Sequence, residues 1–240
     1  MATGGVNLSK EFFELLKAIG ESKSKQEEDR IISKEVQCLK KKLEPTPQGH
    51  KNPLQSKKKA KEYLVRLLYV EMLGHDASFG YIKAVEMAAS ASLYHKRTGY
   101  LVCGACLSPD HEFRFMLVNQ MQRDMQSANV LEICGGLLAA TSLITPDMAP
   151  AIVGEVTKLI THDSETVRKK AIITLHRLFQ LAPDVVTFDD LYEKVRKILC
   201  DRDPSVMGCC LNVIEDLCIR DPVKFKELIP SLVSILKQIA

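Results

Sequence analysis

The chain has 240 residues, 46% of them hydrophobic, which is enough to bury a sizeable core in one long domain or two ordinary ones. No stretch approaches the roughly 18 consecutive apolar residues of a membrane span, and the start MATGGVNLSKEFFELLK lacks the charged opening and apolar centre of a signal peptide. The formal charge of +3 is uneven, since residues 1–62 carry 14 Lys/Arg against 9 Asp/Glu whereas residues 63–240 carry 19 against 21, so the basic excess belongs to the first quarter.

Ala2 stands where N-myristoylation demands a glycine, so any membrane contact is expected to be peripheral. From Ser9 to Leu43 the spacing predicts helix, with Phe12, Leu15, Leu16 and Ile19 on one apolar stripe and Ile31, Ile32, Val36 and Leu39 on another. The charged stretch Glu21 to Arg30 separates the two. Pro45, Pro47, Gly49 and Pro53 remove backbone donors and favour extended backbone, which predicts a mobile loop over Glu44 to Ser56 and helix again near Lys57.

The run SKKKAK then places Lys57, Lys58, Lys59 and Lys61 at a helix start, with Lys51 nearby. Such a run is commonly a solvated face. Helix-start amides together with four ammonium groups also suit the phosphorylated head group of a membrane lipid, a second reading, and nucleic acid is a third. Against nucleic acid stand the absence of Trp, a 6% aromatic content and the slightly acidic balance after residue 62.

Beyond Lys61 the pattern reads as helices of roughly 12 to 18 residues with short polar breaks and almost no period-two alternation, so the fold is expected to be all-α. Val167, Ala171, Leu175 and Leu178 recur as Val206, Cys210, Ile214 and Leu217, each 39 residues on, and Val130, Cys134 and Leu138 precede the first three by 37. A repeat of about 40 residues with this pattern predicts HEAT/armadillo-like helical pairs stacked into an α-α superhelical solenoid, a scaffold with extended binding surfaces. Asp163 or Asp203 is placed to cap a helix, Ala171 and Cys210 to permit close helix approach, and Arg168 to bond an adjacent repeat's turn.

Chemistry-bearing constellations are sparse. Cys103 and Cys106 form CGAC without a second Cys or His pair at the spacing of a tetrahedral metal site. All eight cysteines lie in apolar helical pattern and read as reduced core thiols. None of His50, His75, His95, His111, His162 and His176 stands in a recognisable arrangement with Ser or Cys and a carboxylate, so no catalytic residue, metal or cofactor is expected. Gly135-Gly136 sits inside a helical pattern and suits close helix packing better than phosphate binding.

The text YLVRLLYVEMLGHDASFGYIKAVEMA from Tyr63, followed by HKRTGYL and VRKKAIITLHRLF, resembles the trunk of the large adaptin subunits of heterotetrameric vesicle-coat adaptor complexes. SKEFFELLKAIGESKSKQEEDRII and CDRDPSVMG are most similar to the epsilon branch of that family, gamma-type and alpha-type adaptins being the near alternatives. The resemblance covers about Ser9 to Ala240, with departures at the loop Pro45 to Ser56 and at VCGAC, where the family pattern leads one to expect a bulkier apolar helix. It implies that the 240 residues are the N-terminal part of a longer trunk. It further implies a non-enzymatic coat component that assembles with a beta-type large subunit, a medium (mu) subunit and a small (sigma) subunit, is recruited by an Arf-type small GTPase, and sorts cargo as a cytosolic protein peripheral on trans-Golgi network or endosomal membranes. Carried over residue by residue, Lys57, Lys58, Lys59 and Lys61 match the phosphoinositide-contacting place of alpha-type adaptins. The helix with Leu64, Leu67, Leu68, Met72 and Leu73 matches one that supports small-subunit and GTPase contacts. A HEAT-repeat nuclear transport or RNA-associated factor would explain the repeat and the lysines but leaves LLYVEMLGHDASFG unexplained, and an enzyme would require a pocket where His, Cys and carboxylate groups converge.

Overall fold

The structure, a computed structural model, describes residues 9–44 and 53–239. Among these the regular structure is entirely helical and falls into two compact units, Met1–Ser108 and Pro109–Ala240.

The first unit contains α1 (Lys10–Gly20), α2 (Lys25–Leu43), α3 (Pro53–Met72), α4 (Tyr81–Ala88) and α5 (Leu93–Cys106). Its first two helices begin where a hydroxyl can satisfy an orphan amide: Ser9 accepts from the Phe12 N–H and Ser24 from the Glu27 N–H, while the Glu27 carboxylate reaches back to the Lys23 N–H at 3.0 Å. The break at residues 21–24 is what turns the predicted stretch 9–43 into two helices. Helix α3 begins at Pro53, earlier than the expected Lys57, because proline suits a first turn whose amides lack intrahelical partners. Residues 45–52 of the predicted loop, Lys51 included, lie outside the described residues.

The end of α3 explains MLGHDASFG. Gly74 adopts φ +84°, open to glycine without a Cβ penalty, and the His75 N–H closes the helix by donating to the Val70 carbonyl at 3.2 Å. The Glu71 carboxylate accepts from the Ala77 N–H and Asp76 accepts from the Ser78 N–H, so the turn's polar residues hold its own backbone. Further on, Gly99 on α5 meets α4 almost backbone to backbone: a Cβ there would lie 2.2 Å from the Ala88 nitrogen.

The second unit contains α6 (Phe113–Met125), α7 (Val130–Leu143), α8 (Ala149–Leu159), α9 (Glu165–Leu181), α10 (Phe188–Ile198), α11 (Pro204–Arg220) and α12 (Ile229–Ile239). Helices α6/α7, α8/α9 and α10/α11 pair, while α7 packs on α9 and α9 on α11, so the second helices of successive pairs form a layer. The 39-residue repeat is its cause: Val167, Ala171, Leu175 and Leu178 are buried, as are Val206, Cys210, Ile214 and Leu217.

The earlier copy departs from the expected register. Cys134 is buried, but Leu138 is 60% exposed and Leu137 takes the inward place. Gly136 seats α7 against α6, with its Cβ position 3.1 Å from the Met121 carbonyl oxygen, and this turns Ile133, Leu137 and Ala140 to the core. A one-residue slip rotates a helical stripe by about 100°, enough to turn Leu138 to solvent. Gly135 faces open space, so close packing explains only Gly136 of the pair.

Candidate functional site: a basic corner and an exposed ridge on α3 and α5

The site lies within the first unit, and its frame is a buried ion pair. The Arg66 guanidinium on α3 donates to both carboxylate oxygens of Glu35 on α2, each at 2.7 Å, and to Glu11 on α1 at 3.0 Å. Lys42 also pairs with Glu11, and these hydrogen bonds hold the Glu11 carboxyl below its usual range. A buried charge is tolerated only when its donors are matched, and the planar fork of arginine matches a carboxylate two-fold. Helices α1, α2 and α3 are thereby fixed in relation to one another.

On this frame the lysine cluster opens α3. Lys59 is exposed, and the Lys61 ammonium lies 3.1 Å from the centroid of the Tyr94 ring on α5. The side chains of Lys57 and Lys58 lie outside the described residues. Of the five apolar positions that follow, Leu64 and Leu67 are fully buried, Leu68 and Leu73 are partly covered, and Met72 is 75% exposed. Helical geometry dictates this division, because positions 64 and 67 share the face that carries Arg66 and Val70 into the core. Only Met72 of the five offers an exposed side chain to a partner.

Reading the sequence alone missed the neighbouring ridge on α5. Tyr94, Arg97 and Leu101 are exposed at spacings of three and four, with Tyr94 66% and Leu101 62% accessible, while Thr98, Val102 and Cys103 fill the opposite face. The signal was the period itself: Thr98, Gly99, Val102 and Cys103 already complete one inward stripe, which leaves Leu101 outside.

The remaining candidate groups sit in structural roles. Burial pushes the Cys103 and Cys210 thiols up to about 12 and the Cys106 thiol up to about 11, so CGAC is the inert, packed end of α5. The expected bulkier helix at Val102 to Cys106 is instead a small-residue helix with Val102 and Cys103 buried. Three histidine rings make structural bonds: His162 Nδ1 accepts from the Ser164 N–H, His111 Nδ1 from the Phe113 N–H, and His176 on α9 meets Asp216 on α11 at 2.7 Å. His50 lies outside the described residues.

In the second unit Arg168 donates to Asp201 through Nε and Nη2, at 2.8 and 2.9 Å, and through Nη1 to the carbonyls of His162 and Asp163. This is the expected reach to the next repeat's turn. Asp203 caps α11 through the Ser205 and Val206 N–H groups. Asp163 does not cap α9, because Ser164 takes the N-cap place and leaves Asp163 to offer its carbonyl to Arg168 and Arg202.

Helical pairs stacked with their second helices in a layer, and residues arranged on surfaces of those helices, define the α-α solenoid class of the HEAT/armadillo kind. A designed armadillo repeat protein shares the fold at TM-score 0.51 and 13% identity, over 85% of this chain and 98% of that one. The family profile described as the adaptin N terminal region matches residues 28–240, and the chain belongs to the adaptin family. Similar relatives are the AP-4 complex subunit epsilon of Arabidopsis thaliana, 47% identical over 98% of this chain and 24% of its own length, and AP-4 complex subunit epsilon-1 of Homo sapiens, 35% identical over 99% and 20%. A homology-based structure of the full-length AP-3 complex in an intermediate open conformation superposes at TM-score 0.63 and 27% identity, over 75% of this chain and 32% of that one. The branch expected from SKEFFELLKAIGESKSKQEEDRII is thus the one to which these curated relatives belong. The chain spans between a fifth and a quarter of their length.

Proposed function

We propose that these residues form the N-terminal part of the trunk of a non-enzymatic large subunit in a heterotetrameric adaptor complex, one that sorts cargo during vesicle-mediated transport at the trans-Golgi network or endosomes. The observation that carries this reading is the 47% identity, over 98% of the chain, with an AP-4 epsilon subunit. The 29% identity with a plant AP-2 alpha subunit and 27% with an AP-1 gamma subunit favour the epsilon branch over the alpha and gamma alternatives. On this reading the partners are a beta-type large subunit, a mu subunit and a sigma subunit, with an Arf-type small GTPase as recruiter and no nucleic acid. The exposed Met72, flanked by the half-covered Leu68 and Leu73, is the part of α3 available for a small-subunit or GTPase contact.

The lysines at the start of α3 supply the membrane side of the proposal. Four ammonium groups within five positions attract an anionic leaflet, at about 1 kcal/mol each near the surface. Co-purification of the full-length protein from cells tests the assembly: a beta-type, a mu and a sigma subunit should accompany it in equal amounts. Recovery without any of the three would overturn the adaptor reading.

A further inference from the structure

The ridge on α5 adds an element that the lysine cluster alone does not have. Tyr94 presents an exposed aromatic ring directly beside Lys61, whose ammonium lies 3.1 Å from the ring centroid. One turn along the same exposed stripe stands Arg97, and the first turn of α5 carries no acidic residue. The acidic neighbour on α3, Glu62, is engaged by Ser9 and lies 3.5 Å from Arg66, which turns its charge toward the interior network. The corner therefore combines cationic side chains from two helices, Lys61 from α3 beside the ring and Arg97 from α5 one turn along the same exposed stripe.

That combination fits one kind of surface. A free phosphorylated head group would need cations alone, and a protein groove would need a continuous apolar patch. Cations around a tyrosine match a bilayer interface, where amphipathic rings sit at head-group depth and Lys/Arg meet lipid phosphates.

We infer that Tyr94 and Arg97, with Lys61, form a contact for the interface of an anionic phospholipid bilayer, in which the Tyr94 ring leaves Lys61 and enters the head-group layer. This inference rests on the membrane reading of the lysine cluster and adds to it a second helix and an inserted side chain. The Lys61 ammonium, relieved of the ring, becomes available to a lipid phosphate.

The 240-residue chain contains no tryptophan, so Tyr94→Trp introduces a single reporter that keeps an aromatic ring in place. Vesicles of phosphatidylcholine with a fixed fraction of phosphatidylinositol phosphate should shift its emission to the blue, and brominated acyl chains should quench it. Tyr94→Ser should weaken vesicle binding by about three- to tenfold, and Arg97→Gln by about fivefold, as expected for one interfacial cation. Binding of soluble inositol hexakisphosphate should not respond to Tyr94→Ser. An unshifted Tyr94→Trp spectrum on vesicles that do bind the protein, together with wild-type binding by Tyr94→Ser, would overturn the inference while leaving the lysine reading intact. Wild-type vesicle binding by a protein with Lys57, Lys58, Lys59 and Lys61 all changed to Ser would overturn both. Loss of inositol hexakisphosphate binding in Tyr94→Ser would mean that the ring only positions Lys61, and would also sink the insertion.

Discussion

Replacing Arg168 by Ala is the sharpest test of how the second unit is held together. The guanidinium is nearly enclosed and makes four hydrogen bonds: two to Asp201 ahead of α11, and two to the carbonyls of His162 and Asp163 ahead of its own helix. Removing it leaves a largely buried carboxylate without its main partner and two carbonyls short of a donor. Truncating one side of such a pair costs about 3–5 kcal/mol. At about 2–4 °C per kcal/mol for a chain of this length, the melting temperature should fall by roughly 6–20 °C. Arg168→Lys should recover part of this only, because an ammonium cannot span both carboxylate oxygens. The pH dependence has a definite sign: hydrogen bonds from Arg168 hold the Asp201 carboxyl below its usual range, so its contribution is present above the unfolded value of about 3.9 and is lost as pH falls through the folded value. The gap between wild type and Arg168→Ala, followed by circular dichroism during heating, should therefore narrow from pH 7 to pH 3. A loss below about 1 kcal/mol at pH 7, or full rescue by lysine, would refute the assignment of the inter-repeat lock to this fork.

Other perturbations follow from single contacts. Gly99→Ala would force a methyl group into the Ala88 backbone, and overpacking of this kind costs about 1–3 kcal/mol, read as a lower urea midpoint; an unchanged midpoint would mean that α4 and α5 have room to part. Iodoacetamide at pH 8 should alkylate the exposed Cys200 and leave Cys103 and Cys210 unmodified in the folded protein, because burial keeps both thiols protonated, and peptide mass spectrometry would detect the reverse. Changing Lys57, Lys58, Lys59 and Lys61 together to Ser should weaken binding to anionic phosphoinositide vesicles at least tenfold while costing about 0.5–1 kcal/mol of stability through the lost Lys61–Tyr94 contact. Vesicle binding equal to wild type would remove the lipid role.

The local chemistry of the chain was sufficient for its helical character and much of its inward face. The Asp203 cap acts through amides two and three residues on, and the 39-residue recurrence of Val167, Ala171, Leu175 and Leu178 marks the inward face of each second helix, so both could be read along the text. The long text from Tyr63 pointed to the adaptin family by its resemblance, and its glycine and polar turn residues prove to serve the end of α3.

Tertiary packing decided the exposures that the helical period leaves open. Leu64 and Leu67 share a helical face with Arg66 and Val70, but that this face is the one carried inward was set by the Glu35 and Glu11 partners of Arg66 on α2 and α1. Leu138 is exposed because Gly136 lets α7 settle against α6 in another rotation, and Asp163, with Ser164 in the N-cap place, offers its carbonyl to Arg168 and to Arg202 of the next repeat's turn. The corner of Lys61, Tyr94 and Arg97 joins residues more than thirty positions apart, and no periodicity links α3 to α5. Sequence sets what each helix can bury, whereas the surface left over depends on where the neighbouring helices lie.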